Sequence, residues 1–135
     1  DSSQGLGDLV TFLESPDDLA PLYEKARIFV VPHQYAAGIQ FKLSEAMAAG
    51  LPSVASKVAA SGFGFTPDSE YPPHPFCIGS TNTDFARCVL DLNENEARWK
   101  EFRKNGVKYI ENTHRESQVR SALDRALKLA IDTVK

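Results

Sequence analysis

The sequence has few of the residues on which disulfide frameworks and metal sites depend. Its two cysteines, Cys77 and Cys88, fall in a predicted strand and in the helix that follows. This placement fits buried, reduced thiols better than a disulfide framework, and it favours a cytoplasmic protein. The three histidines, His33, His74 and His114, are scattered along the chain, so no metal site is indicated.

Long apolar runs and basic clusters are also missing. No run approaches the roughly 20 apolar residues that a bilayer-spanning helix needs, and no signal-peptide pattern is present. The formal net charge is -3 and the sequence pI is ≈ 5.6, so nucleic acid is not expected as a partner. The 135 residues are 42% hydrophobic, which is enough for one domain with its own core.

One segment in the first half of the chain carries the clearest pattern, a strand, a loop, a helix and a second strand. Arg27–Pro32 is a continuous apolar run, typical of a parallel strand covered on both faces. His33–Gly38 is predicted to form a loop, Ile39–Ala49 a helix and Ser53–Ser56 the next buried strand. This order brings a loop and a helix N-terminus to the carboxyl ends of parallel strands, where open α/β sheets bind ligands.

The predicted helix has an inward face and a charged flank. The residues expected to face the sheet share one side of the helix: Ile39, Leu43, Ala46, Met47 and Gly50. Lys42 and Glu45 lie next to each other on the flank of that side, at the rim of a predicted cleft. There an ammonium can neutralise phosphate, and a carboxylate can accept hydrogen bonds from two hydroxyls. The spacing fits an exposed Lys–Glu pair as well, and it does not decide between the two.

Ahead of this segment, the sequence predicts a strand and a short helix. Leu9–Leu13 alternates and is apolar enough for a strand. Asp17 or Asp18 is expected to cap a helix that ends near Ala26, and its inward side serves packing rather than chemistry.

After it, the sequence predicts an irregular loop and a last strand. Lys57–Pro75 is a long loop in which Ala59–Gly62 are small enough for a ligand or another backbone segment to approach closely. Phe76–Ile78 is the fourth and last predicted strand.

Three helices are predicted for the rest of the chain. Thr81 with Asp84 resembles a capping box for a helix over Thr83–Leu92. A second helix covers residues 95–112, and its inward side contains Trp99, Phe102, Gly106 and Ile110. Thr113 and Glu116 form a capping box for a final, amphipathic helix.

The run GIQFKLSEAMAAGLPSVAS resembles the nucleotide-sugar-binding segment of retaining glycosyltransferases with the GT-B fold, the group 1 or family 4 class. In that family a strand ending in proline leads to a glycine loop and a helix that reads G-I-x-x-K-x-x-E-A-M-A-x-G-x-P-V-V-A. The matching positions are Gly38, Ile39, Lys42, Glu45, Ala46, Met47, Ala48, Gly50, Pro52, Val54 and Ala55. Similarity extends over most of the chain and is densest at residues 18–62.

The resemblance implies roles for several residues in binding the donor. Glu45 would hold the ribose hydroxyls of the donor nucleotide. Lys42 and the backbone N–H groups of Gly38, Ile39 and Gln40 would meet the diphosphate or the sugar.

Three further positions in the preceding loop lie close to the sugar in this comparison. Many members carry a second glutamate eight residues before the first, and that position is Ala37 here. His33 and Tyr35 lie in the loop nearest the proposed donor, where either could contact the sugar. No residue is assigned to catalytic acid–base chemistry.

For the fold, the resemblance implies an α/β protein with a Rossmann-like parallel sheet flanked by helices, a GT-B C-terminal domain that lacks its first strands. Residues 1–135 would be part of the donor-binding domain, ending in a C-terminal helix at 113–135. The acceptor-binding domain would lie outside this chain, and the chain alone would be inactive. Any membrane contact would also be made by parts outside it.

For the activity, the resemblance implies a glycosyltransferase of the hexosyltransferase type. It would use a nucleotide diphosphate sugar as donor substrate and need no metal or other cofactor. The alternative is a non-catalytic GT-B-like domain that binds a nucleotide sugar or a protein partner.

Overall fold

The computed structural model describes residues 8–14, 16–35, 41–69 and 74–134. Its centre is a sheet of three parallel strands in the order β1-β2-β3, where β1 is Phe29–Val31, β2 is Ser53–Ser56 and β3 is Cys77–Gly79. The helices are α1 (Ala20–Lys25), α2 (Phe41–Ala48), α3 (Lys57–Ser61), α4 (Asn82–Glu94) and α5 (Glu96–Val134). The predicted class, an α/β fold with a Rossmann-like parallel sheet flanked by helices, is therefore confirmed.

The sheet is covered on both faces by separate groups of apolar side chains. Strand β2 alternates, so that Val54 packs with Leu92 and Phe102, whereas Ala55 packs with the other group. That second group consists of Val31, Leu43, Met47, Ala55, Ala59, Ala60 and Phe76. Burial on both faces explains the apolar run of β2. On β1, Val30 is 43% exposed, so the expectation that this strand is covered on both faces is wrong.

Helix α2 buries the side predicted from the sequence. Leu43, Ala46 and Met47 are buried, whereas Phe41 is 76% exposed. After the helix, Gly50 has a φ of 82°, the left-handed conformation that closes a helix and favours glycine.

The predicted strand at Leu9–Leu13 is wrong. In the described part of the chain this segment pairs with no strand, and Leu9 and Phe12 are 81% and 91% exposed. An alternating pattern stabilises a strand only where a neighbouring strand takes its N–H and C=O groups and a core covers one face.

Helix α1 starts slightly later than expected and is less buried. Its N-cap position is Leu19, while the Asp18 carboxylate accepts a hydrogen bond of 3.0 Å from the Ala20 N–H. No residue of α1 is fully buried, and Tyr23 is half-buried.

The loop predicted at Lys57–Pro75 contains helix α3, which the sequence analysis missed. Ser56 caps α3 by accepting a hydrogen bond of 3.1 Å from the Ala59 N–H. Ala59 and Ala60 are fully buried in the core, which fits the close approach of neighbouring backbone rather than that of a ligand. Beyond α3, Phe65 packs edge-on against Phe76 and Tyr109, at ring distances of 5.6 and 5.5 Å.

The C-terminal part is two helices rather than three. Thr81 caps α4 as predicted, because its hydroxyl oxygen accepts a hydrogen bond of 3.1 Å from the Asp84 N–H. Helix α5 then runs for 39 residues, so the break expected at Thr113 and the start of a separate helix at 113 are wrong. No glycine or proline stands near Thr113, and a capping pattern ends a helix only where the backbone leaves the helical conformation. Among the described residues, no helix has the length and apolarity that crossing a bilayer requires.

Candidate functional site

The carboxyl ends of the three strands surround a cavity of about 460 Å³, which we call the sheet-edge cavity. Its polar lining comes from residues at or shortly after the carboxyl end of each strand: His33, Gln34, Ser56, Lys57, Ser80, Thr81 and Asn82. All three strands are parallel, so their carboxyl ends meet at one edge of the sheet. This is the edge at which open α/β sheets bind ligands.

The Ser56 hydroxyl makes two hydrogen bonds beside the sheet-edge cavity. It donates a short hydrogen bond to the carbonyl oxygen of His33, and it accepts the one from the Ala59 N–H described above. The same side chain therefore ties the loop after β1 to the beginning of α3. The backbone position of His33 is set by this contact.

The sheet-edge cavity can receive negative charge. Lys57 is exposed at its rim, and the first residue of α4, Asn82, lines it. The positive end of a helix dipole favours anions, and an ammonium adds a full charge. Sequence reasoning did not single out Lys57, Ser80 or Asn82. Their positions shortly after predicted strands could have indicated that they lie at this edge of the sheet.

Glu45 lies in a second depression of about 380 Å³, here called the Glu45 groove. The groove is formed by Pro16, Asp17, Asp18, Leu19, Ala20, Tyr23 and Glu45. The Tyr23 hydroxyl donates a hydrogen bond of 3.1 Å to Oε2 of Glu45, which joins α1 to α2. The expectation that α1 serves packing alone is therefore incomplete, since it also fixes this carboxylate.

The Tyr23 ring is itself held in place and keeps its proton. It packs edge-on against Phe29, with ring centroids 6.0 Å apart. Partial burial raises the pKa of Tyr23, and the hydrogen bond to Glu45 and its negative charge raise that pKa further. Tyr23 is therefore a hydrogen-bond donor at neutral pH, and it occupies one oxygen of Glu45. No residue in the described part of the chain hydrogen-bonds to the other oxygen, Oε1.

The acidic character of the Glu45 groove limits what it can bind. Asp17, Asp18 and Glu45 all line it. Three carboxylates repel phosphate groups but accept hydrogen bonds from neutral hydroxyls. The groove is therefore suited to a polyhydroxyl group, and the sheet-edge cavity to an anionic one.

The other residues proposed from the sequence are distributed around these two sites. Lys42 is exposed on α2 and forms no ion pair with Glu45. His33 lines the sheet-edge cavity, whereas Tyr35 is 91% exposed. Ala37, Gly38, Ile39 and Gln40 lie outside the described residues. Among those described, no three His, Cys, Asp or Glu side chains form a group able to hold a metal ion.

The comparison with protein families identifies the chain. The family model described as glycosyl transferases group 1 matches residues 1–95, which include β1 to β3, the Glu45 groove and the sheet-edge cavity. No curated protein and no solved structure matches the chain. Because the family match covers well over half of its 135 residues, this chain belongs to the group 1 glycosyltransferases.

Proposed function

We propose that this chain binds the nucleotide diphosphate sugar donor of a retaining glycosyltransferase of the hexosyltransferase type. One observation carries the proposal: Tyr23 holds Glu45 by one carboxylate oxygen in an acidic groove, and among the described residues none bonds to the other oxygen. Such a carboxylate can accept hydrogen bonds from the two neighbouring hydroxyls of a ribose. Family membership supports glycosyl transfer in general.

The charges of the two sites support a division of the donor between them. In this proposal the ribose lies in the Glu45 groove, and the diphosphate and sugar lie towards the carboxyl edge of the sheet. Lys42 and the backbone N–H groups of Gly38, Ile39 and Gln40 contact the diphosphate or the sugar. Lys57 adds a second cation on that side.

The proposed reaction needs charge stabilisation more than acid–base catalysis. The bond between the anomeric carbon and the diphosphate oxygen breaks, and a bond to an acceptor oxygen forms on the same face of the sugar. The acceptor hydroxyl loses its proton to the leaving diphosphate. Negative charge grows on the leaving diphosphate, where ammonium groups and helix N-termini stabilise it. We therefore expect Lys42 to act on the leaving group without a metal ion.

Ligand-induced stabilisation tests donor binding directly. UDP, GDP, ADP and their sugar conjugates are each added to the full-length protein, and thermal unfolding is followed. A ligand present at a hundred times its dissociation constant stabilises by about 2.7 kcal/mol. We expect one nucleotide to produce this shift, which names the base.

Matched variants distinguish a specific role of Glu45 in donor binding from the general effect of removing one negative charge. Glu45→Gln keeps the shape of the side chain and removes the charge that strengthens its hydrogen bonds. It is expected to weaken binding about tenfold to a hundredfold. Glu101→Gln is the control, because Glu101 is an exposed carboxylate on α5 outside both sites. Equal binding by Glu45→Gln and wild type would contradict the assignment of Glu45.

The stereochemistry of the product tests the retaining mechanism separately. With the identified donor and an accepted acceptor, NMR of the first product reports the anomeric configuration before any equilibration. Retention relative to the donor is expected. An inverted product would overturn the mechanism while leaving the donor site intact.

A second candidate function, a non-catalytic binding domain, is favoured by one observation. Ala37 stands where many members of the family carry a glutamate that contacts the transferred sugar. A non-catalytic domain would give the thermal shift described above without any transfer or donor hydrolysis in the full-length protein. Turnover that is reduced by Lys42→Ala but not by Lys128→Ala, a matched change on the exposed part of α5, would exclude it.

A further inference from the structure

The two cysteines of the chain face each other across the sheet and a helix. Cys77 lies on β3 and Cys88 on α4, with their Sγ atoms 2.6 Å apart. Both are free thiols and both are half-buried. Neither has a part in the donor site, and no other cysteine is present in the chain. The pair is therefore a separate feature that glycosyl transfer does not explain.

The two cysteines border a surface depression that small solutes can enter. A surface depression of about 370 Å³ is lined by Cys77, Cys88 and the charged side chains of Asp84, Arg87, Asp91 and Arg98. Arg98 pairs with Asp91 at 2.8 Å, so the positive and negative charges beside the thiols are partly neutralised. A neutral molecule of the size of hydrogen peroxide fits easily into this space.

The contact makes the two thiols unequal. The Cys77 thiol donates a hydrogen bond to the Cys88 sulfur, which lowers the pKa of Cys88 and raises that of Cys77. Arg98 also lowers the pKa of Cys88, whereas partial burial, Asp84 and Asp91 oppose the shift. Cys88 is therefore the more acidic thiol of the pair, and Cys77 is positioned as its partner.

From this geometry we propose that Cys77 and Cys88 form a reversible redox pair, which a hydroperoxide converts into a disulfide between β3 and α4. Their proximity and the open depression beside them carry the proposal. An accessible thiol with a second thiol next to it is the arrangement found in redox-sensing cysteines.

The reaction proceeds in two balanced steps. The Cys88 thiolate attacks one oxygen of hydrogen peroxide, forming an S–O bond and breaking the O–O bond; the sulfur loses two electrons, and the hydroxide released becomes water on protonation. The Cys77 sulfur, on losing its proton, then attacks the sulfenic sulfur of Cys88. The S–S bond forms as the S–O bond breaks, and a second water leaves. Overall, two thiols and one peroxide give one disulfide and two waters.

The backbone around the pair is already closely packed, so the disulfide joins elements that lie together. A Cβ on Gly79, two residues after Cys77, would come within 2.5 Å of the Phe85 Cα. Gly79 and Phe85 also line the sheet-edge cavity. Oxidation would therefore link two walls of that cavity covalently.

Thiol titration and mass spectrometry of the peptides that contain Cys77 and Cys88 test the proposal on the wild-type full-length protein. The reduced protein is freed of reductant, exposed to one molar equivalent of hydrogen peroxide and denatured for thiol counting. We expect both thiols to disappear together, the combined mass of the two peptides to fall by two hydrogen atoms and the chain to stay monomeric on a non-reducing gel. Dithiothreitol should restore both thiols. Two thiols remaining, a mass increase by oxygen atoms, or a covalent dimer would each overturn the proposal.

Single variants test the order of the two steps. In Cys77→Ser, the sulfenic acid on Cys88 has no partner, so dimedone should label it. In Cys88→Ser, labelling of Cys77 under the same exposure should be much weaker. Equal labelling of the two variants would contradict the assignment of Cys88 as the attacking thiolate. The wild-type mass measurement decides the disulfide itself even where a variant folds poorly.

Discussion

The two halves of helix α5 have the same backbone conformation but opposite environments. In the first half, Phe102 and Gly106 are buried, and Trp99, Tyr109 and Ile110 are half-buried against α2, α4 and the core. In the second half, every residue from Arg120 to Thr133 is exposed. One continuous helix therefore combines a segment fixed by packing with one that is not.

The difference shows that two physical causes can produce the same secondary structure. The first half includes Gly106, the poorest helix former after proline, and it stays helical because its neighbours fit around it. The second half is rich in alanine, leucine, arginine and lysine, which favour the helix without tertiary contacts. Global stability should therefore depend on the first half and be nearly insensitive to the second.

The largest expected effect is that of Phe102→Ala. The Phe102 ring is 8% exposed and packs with Val54 and Leu92, so its removal leaves a cavity between α5 and the sheet. We expect a loss of about 3 to 5 kcal/mol in the free energy of unfolding, measured by chemical denaturation. Leu127→Ala is the control in the second half, where the side chain is 60% exposed. It should change the free energy by no more than about 0.5 kcal/mol. Similar losses in both variants would contradict the contrast between the halves.

Overpacking at Gly106 should come next. A Cβ at this position would lie 3.3 Å from both the Met47 Cγ and the Pro75 carbonyl oxygen. Gly106→Leu adds a branched side chain to this contact and should destabilise by about 1 to 3 kcal/mol despite the better helix propensity of leucine. Ala126→Leu makes a similar addition in the exposed half and should be close to neutral. A neutral Gly106→Leu would show that α5 can move away from α2 at little cost.

Sequence patterns predicted the packed elements well because burial acts on the same residues that carry the pattern. The bounds of β2, the buried side of α2 and the Thr81 cap all follow from local chemistry. The prediction at Leu9–Leu13 was wrong because a strand depends on a partner strand that the segment itself does not reveal. Helix α3 was missed because Ser56, its cap, was assigned only to the end of a strand.

The candidate site was predictable where one motif contains its residues. Lys42 and Glu45 stand three positions apart on one helix, so their proximity could be inferred from spacing. Tyr23 is 22 positions from Glu45, and nothing local links the two. The lining of the sheet-edge cavity likewise comes from three separate loops that only the parallel sheet brings together.

A smaller effect should distinguish Gly50 from Gly64. Both have φ angles near 80° (82° and 81°), so an alanine at either position is strained, at a cost of about 1 to 2 kcal/mol. A Cβ at Gly50 would also lie 3.2 Å from Nε of Arg103, whereas a Cβ at Gly64 would meet nothing within 4 Å.

The extra cost of Gly50→Ala over Gly64→Ala measures how firmly Arg103 is held on the packed half of α5. The Arg103 guanidinium stacks over the Trp99 ring at 5.6 Å, a contact worth about 0.5 to 1 kcal/mol at an exposed site. Gly50→Ala should therefore cost more than Gly64→Ala by up to about this amount. The excess should vanish in an Arg103→Ala background, which a double-mutant cycle by denaturation would detect. If Gly50→Ala still costs more than Gly64→Ala in the Arg103→Ala background, the extra cost comes from the backbone and not from the contact with Arg103.

The smallest expected effect on global stability is that of removing the chain from Arg120 onwards. The described side chains in this segment are all exposed, so the truncation takes away no core contact. We expect far-UV circular dichroism to lose helical signal while the free energy of unfolding changes by no more than about 0.5 kcal/mol. Exposed Leu123, Leu127 and Ile131 make this a sharp test, because they could contribute to stability only by contacting another molecule. A larger loss of unfolding free energy, growing with protein concentration, would show that a second copy of the chain covers the second half of α5. The contrast between the two halves would then hold for the monomer alone.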